Sequence, residues 1–186
     1  ITMLFTCAAP EYMAEGWRVI PLPPKDKFPP RKGYTGYDGK DPDRETVLHW
    51  FEADMKWRGD AGFNLAVVLP EDIIALDLDA PDGHRVKEDG VKTIEALESE
   101  LGALPPTVTS CHGNQDNPYR HRLYRVPAGL HFDAVGGGVD TIQHSHRYLC
   151  AWPSVHPSGE RYEWYAADGS RLGRVPTRND IAQLPQ

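Results

Sequence analysis

The spacing of hydrophobic and polar positions changes several times along the chain, and each change marks an element. Apolar positions over Pro10–Gly16 fit a short helix, and Trp17-Arg18-Val19-Ile20-Pro21-Leu22 reads as a strand. A loop rich in Pro, Lys and Gly follows from Pro23 to Lys40. Asp41-Pro42 then supplies an N-cap and first-turn pair, and Val47, Leu48, Phe51 and Met55 recur at helical spacing. That pattern predicts a helix over 42–55 with one buried face. Strands are predicted over 63–69 and 72–79, then a helix over Lys92–Leu101 that Gly102 ends. Beyond it come strand-like pieces near 107–111, 120–126, 139–142, 147–152 and 161–165, divided by Gly, Pro and Asn turns, with a short helix from about Thr177. Helices mixed with mainly antiparallel strands define an α+β class. No internal repeat interrupts the series, and the Pro-rich stretch at 21–30 reads as a connection inside a single domain spanning 1–186.

Within the 72–79 strand the segment Ile73-Ile74-Ala75-Leu76-Asp77-Leu78-Asp79 carries two carboxylates at i and i+2. Strand side chains alternate, so Asp77 and Asp79 leave the same face roughly 6–7 Å apart, while Ile74, Leu76 and Leu78 point into the core. Two acids so placed repel each other, and a divalent ion relieves that. Hard oxygen ligands open to solvent are the coordination that Mg2+ or Mn2+ accepts, with substrate phosphates completing the shell. The plainer alternative is an acidic strand end, with Asp79 opening a turn at Pro81-Asp82-Gly83.

Composition narrows the class. A chain of 186 residues with 40% apolar content builds a real core and is not disordered. Cys7, Cys111 and Cys150 show no CxxC spacing and leave an odd thiol in any disulfide scheme, which favours a reducing compartment and argues against a cysteine zinc site. No apolar run approaches the roughly 20 residues of a membrane span, and the first residues carry no charged signal-peptide region. A cytoplasmic protein with no membrane contact is the expectation. Net charge is −7, but residues 1–100 hold 12 Lys and Arg against 20 acids, whereas 101–186 hold 8 Arg, no Lys and 7 acids. Without a basic field, any binding to DNA must be local, metal-assisted or supplied by another domain.

Six of the eight histidines fall between 112 and 156, the stretch that also carries Asp140. Alternation through Arg120-His121-Arg122-Leu123-Tyr124-Arg125 puts His121 on one face with Leu123, and Arg122 on the other with Tyr124. His121 is a candidate phosphate donor, or else a strand histidine bonded to a neighbour. His144-Ser145-His146 lacks a further soft ligand at a metal-binding spacing. The loop Trp152-Pro153-Ser154-Val155-His156-Pro157-Ser158-Gly159 is dense in hydroxyl and imidazole donors, suited to phosphates or a ribose, or is simply a Pro-Gly connection.

Taken in order, these pieces resemble one family. The landmarks are Gly16-Trp17-Arg18-Val19-Ile20-Pro21-Leu22 with Lys27 and Pro29, Asn64-Leu65-Ala66-Val67-Val68, Ala75-Leu76-Asp77-Leu78-Asp79, and Leu104-Pro105-Pro106-Thr107 leading to His121–Pro127. Gly138-Val139-Asp140 and Pro153–Gly159 with Tyr162 and Trp164 complete the series. It looks like the bifunctional primase-polymerase (Prim-Pol) domain of the archaeo-eukaryotic primase superfamily. The resemblance implies a mainly antiparallel, RRM-like catalytic sheet packed with an N-terminal αβ module, and an active site in the cleft between them.

The resemblance further implies that Asp77 and Asp79 form the first catalytic motif, His121 the second and Asp140 the third. The three acids would hold two Mg2+ or Mn2+ ions and His121 the triphosphate of a dNTP or NTP. Arg120, Arg122, Ser110, Ser154, His156 and Ser158 would be further nucleotide contacts. Against the family pattern, the segment Ser110–Tyr119 is long and polar where glycines are usual, so His112 competes with His121. Template-dependent nucleotidyl transfer on single-stranded or primed DNA, as in phage or plasmid replication proteins beside a helicase domain or partner, is the implied activity. A metal-dependent nuclease or phosphoesterase would use the same acids and histidine, and a non-catalytic nucleotide- or DNA-binding module would keep the strands and lose the acids.

Overall fold

The computed structural model describes residues 3–81 and 87–186. Its elements are α1 (Leu4–Ala14), β1 (Arg18–Leu22), α2 (Arg44–Lys56), β2 (Asn64–Val68), β3 (Ile73–Leu78), α3 (Gly90–Leu101), β4 (Thr109–His112), β5 (His121–Arg125), β6 (Val139–Ile142), β7 (Leu149–Ala151), β8 (Tyr162–Tyr165) and β9 (Ala182–Gln183), with a 3₁₀ turn at Arg178–Asp180. The strands form two sheets. The smaller runs β1-β2-β7 and the larger β6-β3-β5-β4-β8, with β9 beside β5. Every strand pair is antiparallel except β5–β9. This is the α+β class that the mixed periods predict.

Several boundaries differ from expectation, for physical reasons. α1 begins six residues before Pro10 and carries it inside. The backbone bond a proline forfeits is offset by tertiary burial, because Leu4, Phe5, Ala8, Ala9 and Tyr12 are all in the core. The cap of α2 is Asp43, whose Oδ1 accepts from Thr46 N at 2.8 Å, and not Asp41. Its buried face is Val47, Trp50 and Asp54, while Leu48 and Met55 are exposed. Asp54 belongs inside because its carboxylate accepts from Thr6 N at 2.9 Å, Thr6 Oγ1 at 2.8 Å and Phe63 N at 2.8 Å, tying α2 to α1. The turn read at Pro81-Asp82-Gly83 falls partly outside the described residues.

One strand organises the molecule. β3 is apolar on both sides, with Ile73 and Ala75 in the large core between the sheets and Ile74, Leu76 and Leu78 in a second cluster with Ile94 of α3, Tyr124, Val126 and Val139. The first of those faces continues into Asp77, so its carboxylate emerges where the inter-sheet core ends. Just past the strand, Asp79 N donates to Gly138 O at 2.8 Å and Asp79 O accepts from Gly90 N at 3.0 Å. Those bonds bring three chain segments into contact. Gly138 has φ +83°, and a Cβ there would lie 2.7 Å from Glu88 O and Gly90 N; a Cβ on Gly90 would lie 2.2 Å from Gly138 O. Only glycine permits both the backbone and the approach.

Candidate active site

Strand register puts the key side chains in a line. Asp140 of β6 lies opposite Asp77 of β3, Asp77 opposite His121 of β5, and His121 opposite Ser110 of β4. Directly opposed residues share a face with Cβ atoms about 4.5–5.5 Å apart, so the four form one row across four adjacent strands. The row opens on a cleft of about 850 Å³, which Asp79, His112, Tyr119, Arg120 and His156 also line. It thus gathers all three acids expected from the sequence with both competing histidines.

Nitrogen side chains already stand against two of the acids. His121 Nε2 is 3.3 Å from Asp77 Oδ1, and Arg147 Nη1 is 2.8 Å from Asp140 Oδ2. Burial pushes the Asp77 carboxyl up, but the attraction of His121, then of Lys27 and Arg147, outweighs it and leaves the group below the usual aspartate range. Two polar atoms of the row, Ser110 Oγ and His121 Nδ1, are buried with no hydrogen-bond partner among the described residues. Unpaired buried donors of this kind cost stability, which is characteristic of a surface shaped for a ligand.

His112 is no loop histidine. It ends β4 opposite Tyr162, stacks on His156 with ring centroids 3.8 Å apart at 5°, and has Nδ1 3.0 Å from Glu160 Oε2. Hydrogen bonds from His112 and Ser158 hold the Glu160 carboxyl below its ordinary range. The two histidines therefore differ in partners rather than in rigidity, one facing an acid of the row and the other committed to Glu160.

Other candidates are distributed differently. Arg122 sits on the opposite face, 3.9 Å from Glu98 of α3, and away from the cleft. Ser154 is fully buried and ties β2, donating from Oγ to Leu65 O and accepting from Leu65 N. Ser158 is exposed outside the cleft lining, bonded to His156 Nδ1 and Glu160. Arg120 lines the cleft but spends its guanidinium on Asn117 O, Gln115 O and Thr109 Oγ1 and on the Tyr165 ring, so it braces the 115–117 loop. Conversely, Lys27 and Arg147 line the cleft although no periodicity in their loops singles them out. The one signal for Lys27 is its place in the first landmark of the family resemblance.

The donor set suits a hard divalent cation, since Asp77 and Asp140 are opposed oxygen donors and Asp79 lines the same cleft. Among the described residues no three His, Cys, Asp or Glu side chains converge as closely as around a held ion. A site completed by substrate phosphates and water needs no such cage.

The fold and site thus define a two-sheet α+β protein with a carboxylate-histidine row facing a cleft. The family model of the bifunctional DNA primase/polymerase N-terminal domain matches residues 9–186, and the chain belongs to that family. Membership implies a nucleotidyltransferase-type enzyme of DNA primase or polymerase kind. No curated protein matches the chain. Among the described residues no helix is long and apolar enough to cross a membrane.

Proposed function

We propose that the protein performs template-dependent nucleotidyl transfer, joining dNTPs or NTPs to a growing strand on single-stranded or primed DNA. The observation that carries this reading is the row Asp140–Asp77–His121–Ser110, which sets two oxygen ligands beside two phosphate donors along one wall of the cleft. Asp77, Asp79 and Asp140 would hold Mg2+ or Mn2+. Bound there, a pair of ions supplies activation of the attacking 3′-hydroxyl and neutralisation of the leaving pyrophosphate. His121, facing Asp77 in the row, and Ser110 beside it would bond a triphosphate oxygen once their buried polar atoms, unpartnered among the described residues, are uncovered. Lys27 and Arg147 add positive charge beside them. Arg120 fixes the loop that walls the cleft. A helicase domain or partner would supply the translocation that this site does not.

Primer extension with labelled primer-template, dNTPs or NTPs and Mn2+ tests the reading. Asp77→Asn and Asp140→Asn should each lower incorporation by about a hundredfold or more while the fold, followed by circular dichroism, persists. Retained extension in either variant would sink the assignment. Degradation of the labelled DNA without nucleotides would make the protein a nuclease instead.

A further inference from the structure

Arg147 has an unusual backbone. Its φ is +66°, a left-handed conformation that side chains other than glycine rarely adopt. The turn before it is closed by reciprocal bonds between Gln143 and His146, at 3.1 and 3.0 Å, and these deliver Arg147 to the end of the row. There its guanidinium covers Asp140 Oδ2, while Asp140 Oδ1 accepts from Thr141 N at 2.9 Å.

Stability alone does not account for this arrangement. The Arg147 side chain is 57% exposed, and a half-exposed ion pair returns little free energy, no more than the left-handed backbone costs. Position does account for it. Arg147, Lys27, Asp77, His121 and Tyr162 line both the main cleft and a side chamber of about 360 Å³, so Arg147 stands where the two spaces meet. A guanidinium matches phosphate as well as carboxylate, through the same paired N–H donors. An oxygen covered by it is not open to a metal.

Resting on the function proposed above, we infer that Arg147 is a partner-switching cation. At rest it occupies Asp140, and when a nucleotide arrives it transfers to a phosphate and frees Asp140 as a ligand. The exchange keeps charge balanced throughout. A bare carboxylate pair never faces solvent unneutralised, and the acid row ligates a divalent ion best when a phosphate is present to receive the arginine. The device links metal affinity to substrate occupancy.

Arg147→Gly removes the side chain where the backbone favours glycine, so the fold is retained. Mn2+ titrations followed by electron paramagnetic resonance, with no nucleotide or DNA, should show this variant binding the ion about tenfold more tightly than the parent, as when about one resting molecule in ten has Asp140 released. Calorimetry with inorganic tripolyphosphate in EDTA should show the opposite, a several-fold loss of affinity. Arg147→Gln repeats both comparisons with the backbone strain kept. Unchanged Mn2+ affinity in both variants, or unchanged tripolyphosphate affinity, overturns the switch. Asp77→Asn separates the underlying reading: if it binds Mn2+ as the parent does, the metal assignment fails whatever Arg147 does.

Discussion

A side chain's contribution here depends on what it already holds. His121 has one ring nitrogen 3.3 Å from Asp77 and the other without a partner, whereas His112 is stacked on His156 and paired with Glu160. His121→Ala should therefore raise the KM for nucleotide by about tenfold or more, and His112→Ala by much less. Steady-state kinetics giving the reverse order would transfer the triphosphate role to the β4 histidine. That Asp77, Asp79, Asp140 and His121 gather around one cleft was legible because acid spacing, strand alternation and the order of landmarks point to them. Arg122 fails as a cleft residue for a reason already in the sequence, since alternation alone puts it opposite His121. Ser154 and Ser158 were not separable by composition, because a hydroxyl bonded to β2 and one on the surface look the same in a list of residues. Arg147 was invisible, its place beside Asp140 set by a turn conformation that no local motif encodes.

Elements were legible in kind and less so in extent. The strand pattern held nearly everywhere, because an alternating or continuously apolar run bounded by turns admits few other readings. The helices drifted, since tertiary contacts override local signals: α1 tolerates Pro10 through its buried face, and Asp43 caps α2 in place of Asp41. The contact between the start of α3 and the Gly136–Gly138 turn is set wholly by the fold. Gly138→Ala adds a Cβ 2.7 Å from backbone atoms at φ +83°. The expected loss is about 2 kcal/mol, a fall in Tm of roughly 4–8 °C for a domain of this size. Activity should fall with it, because Asp79 N rests on Gly138 O. A thermal melt matching the parent would show that the three segments can separate without cost.

For the whole molecule, the net charge of −7 and the concentration of acids in the first hundred residues govern encounters with nucleic acid. Among the described residues the cations that face the cleft, Lys27, Arg120 and Arg147, are few, and one of them pairs with Asp140. Affinity for primed DNA in EDTA should accordingly be weak, with a shallow salt slope equivalent to only a few phosphate contacts, and should strengthen when Mn2+ and nucleotide are added. Fluorescence anisotropy at several salt concentrations measures it; tight, steeply salt-dependent binding in EDTA would reveal a basic groove.

Chain order also has a consequence for how the molecule is made. β7 follows β6 directly in sequence, yet it leaves the large sheet and completes the small one beside β2, pairing Leu65 with Ala151. Tyr12 of α1 likewise donates to Trp152 O at 2.6 Å and accepts from Trp164 Nε1 at 2.7 Å. On the ribosome the N-terminal unit must therefore wait, with β2 carrying a bare edge, until the strand after Asp140 has been synthesised. The four strands of the acid row all precede β7, so on a nascent chain the row can assemble before the edge of the small sheet is sealed.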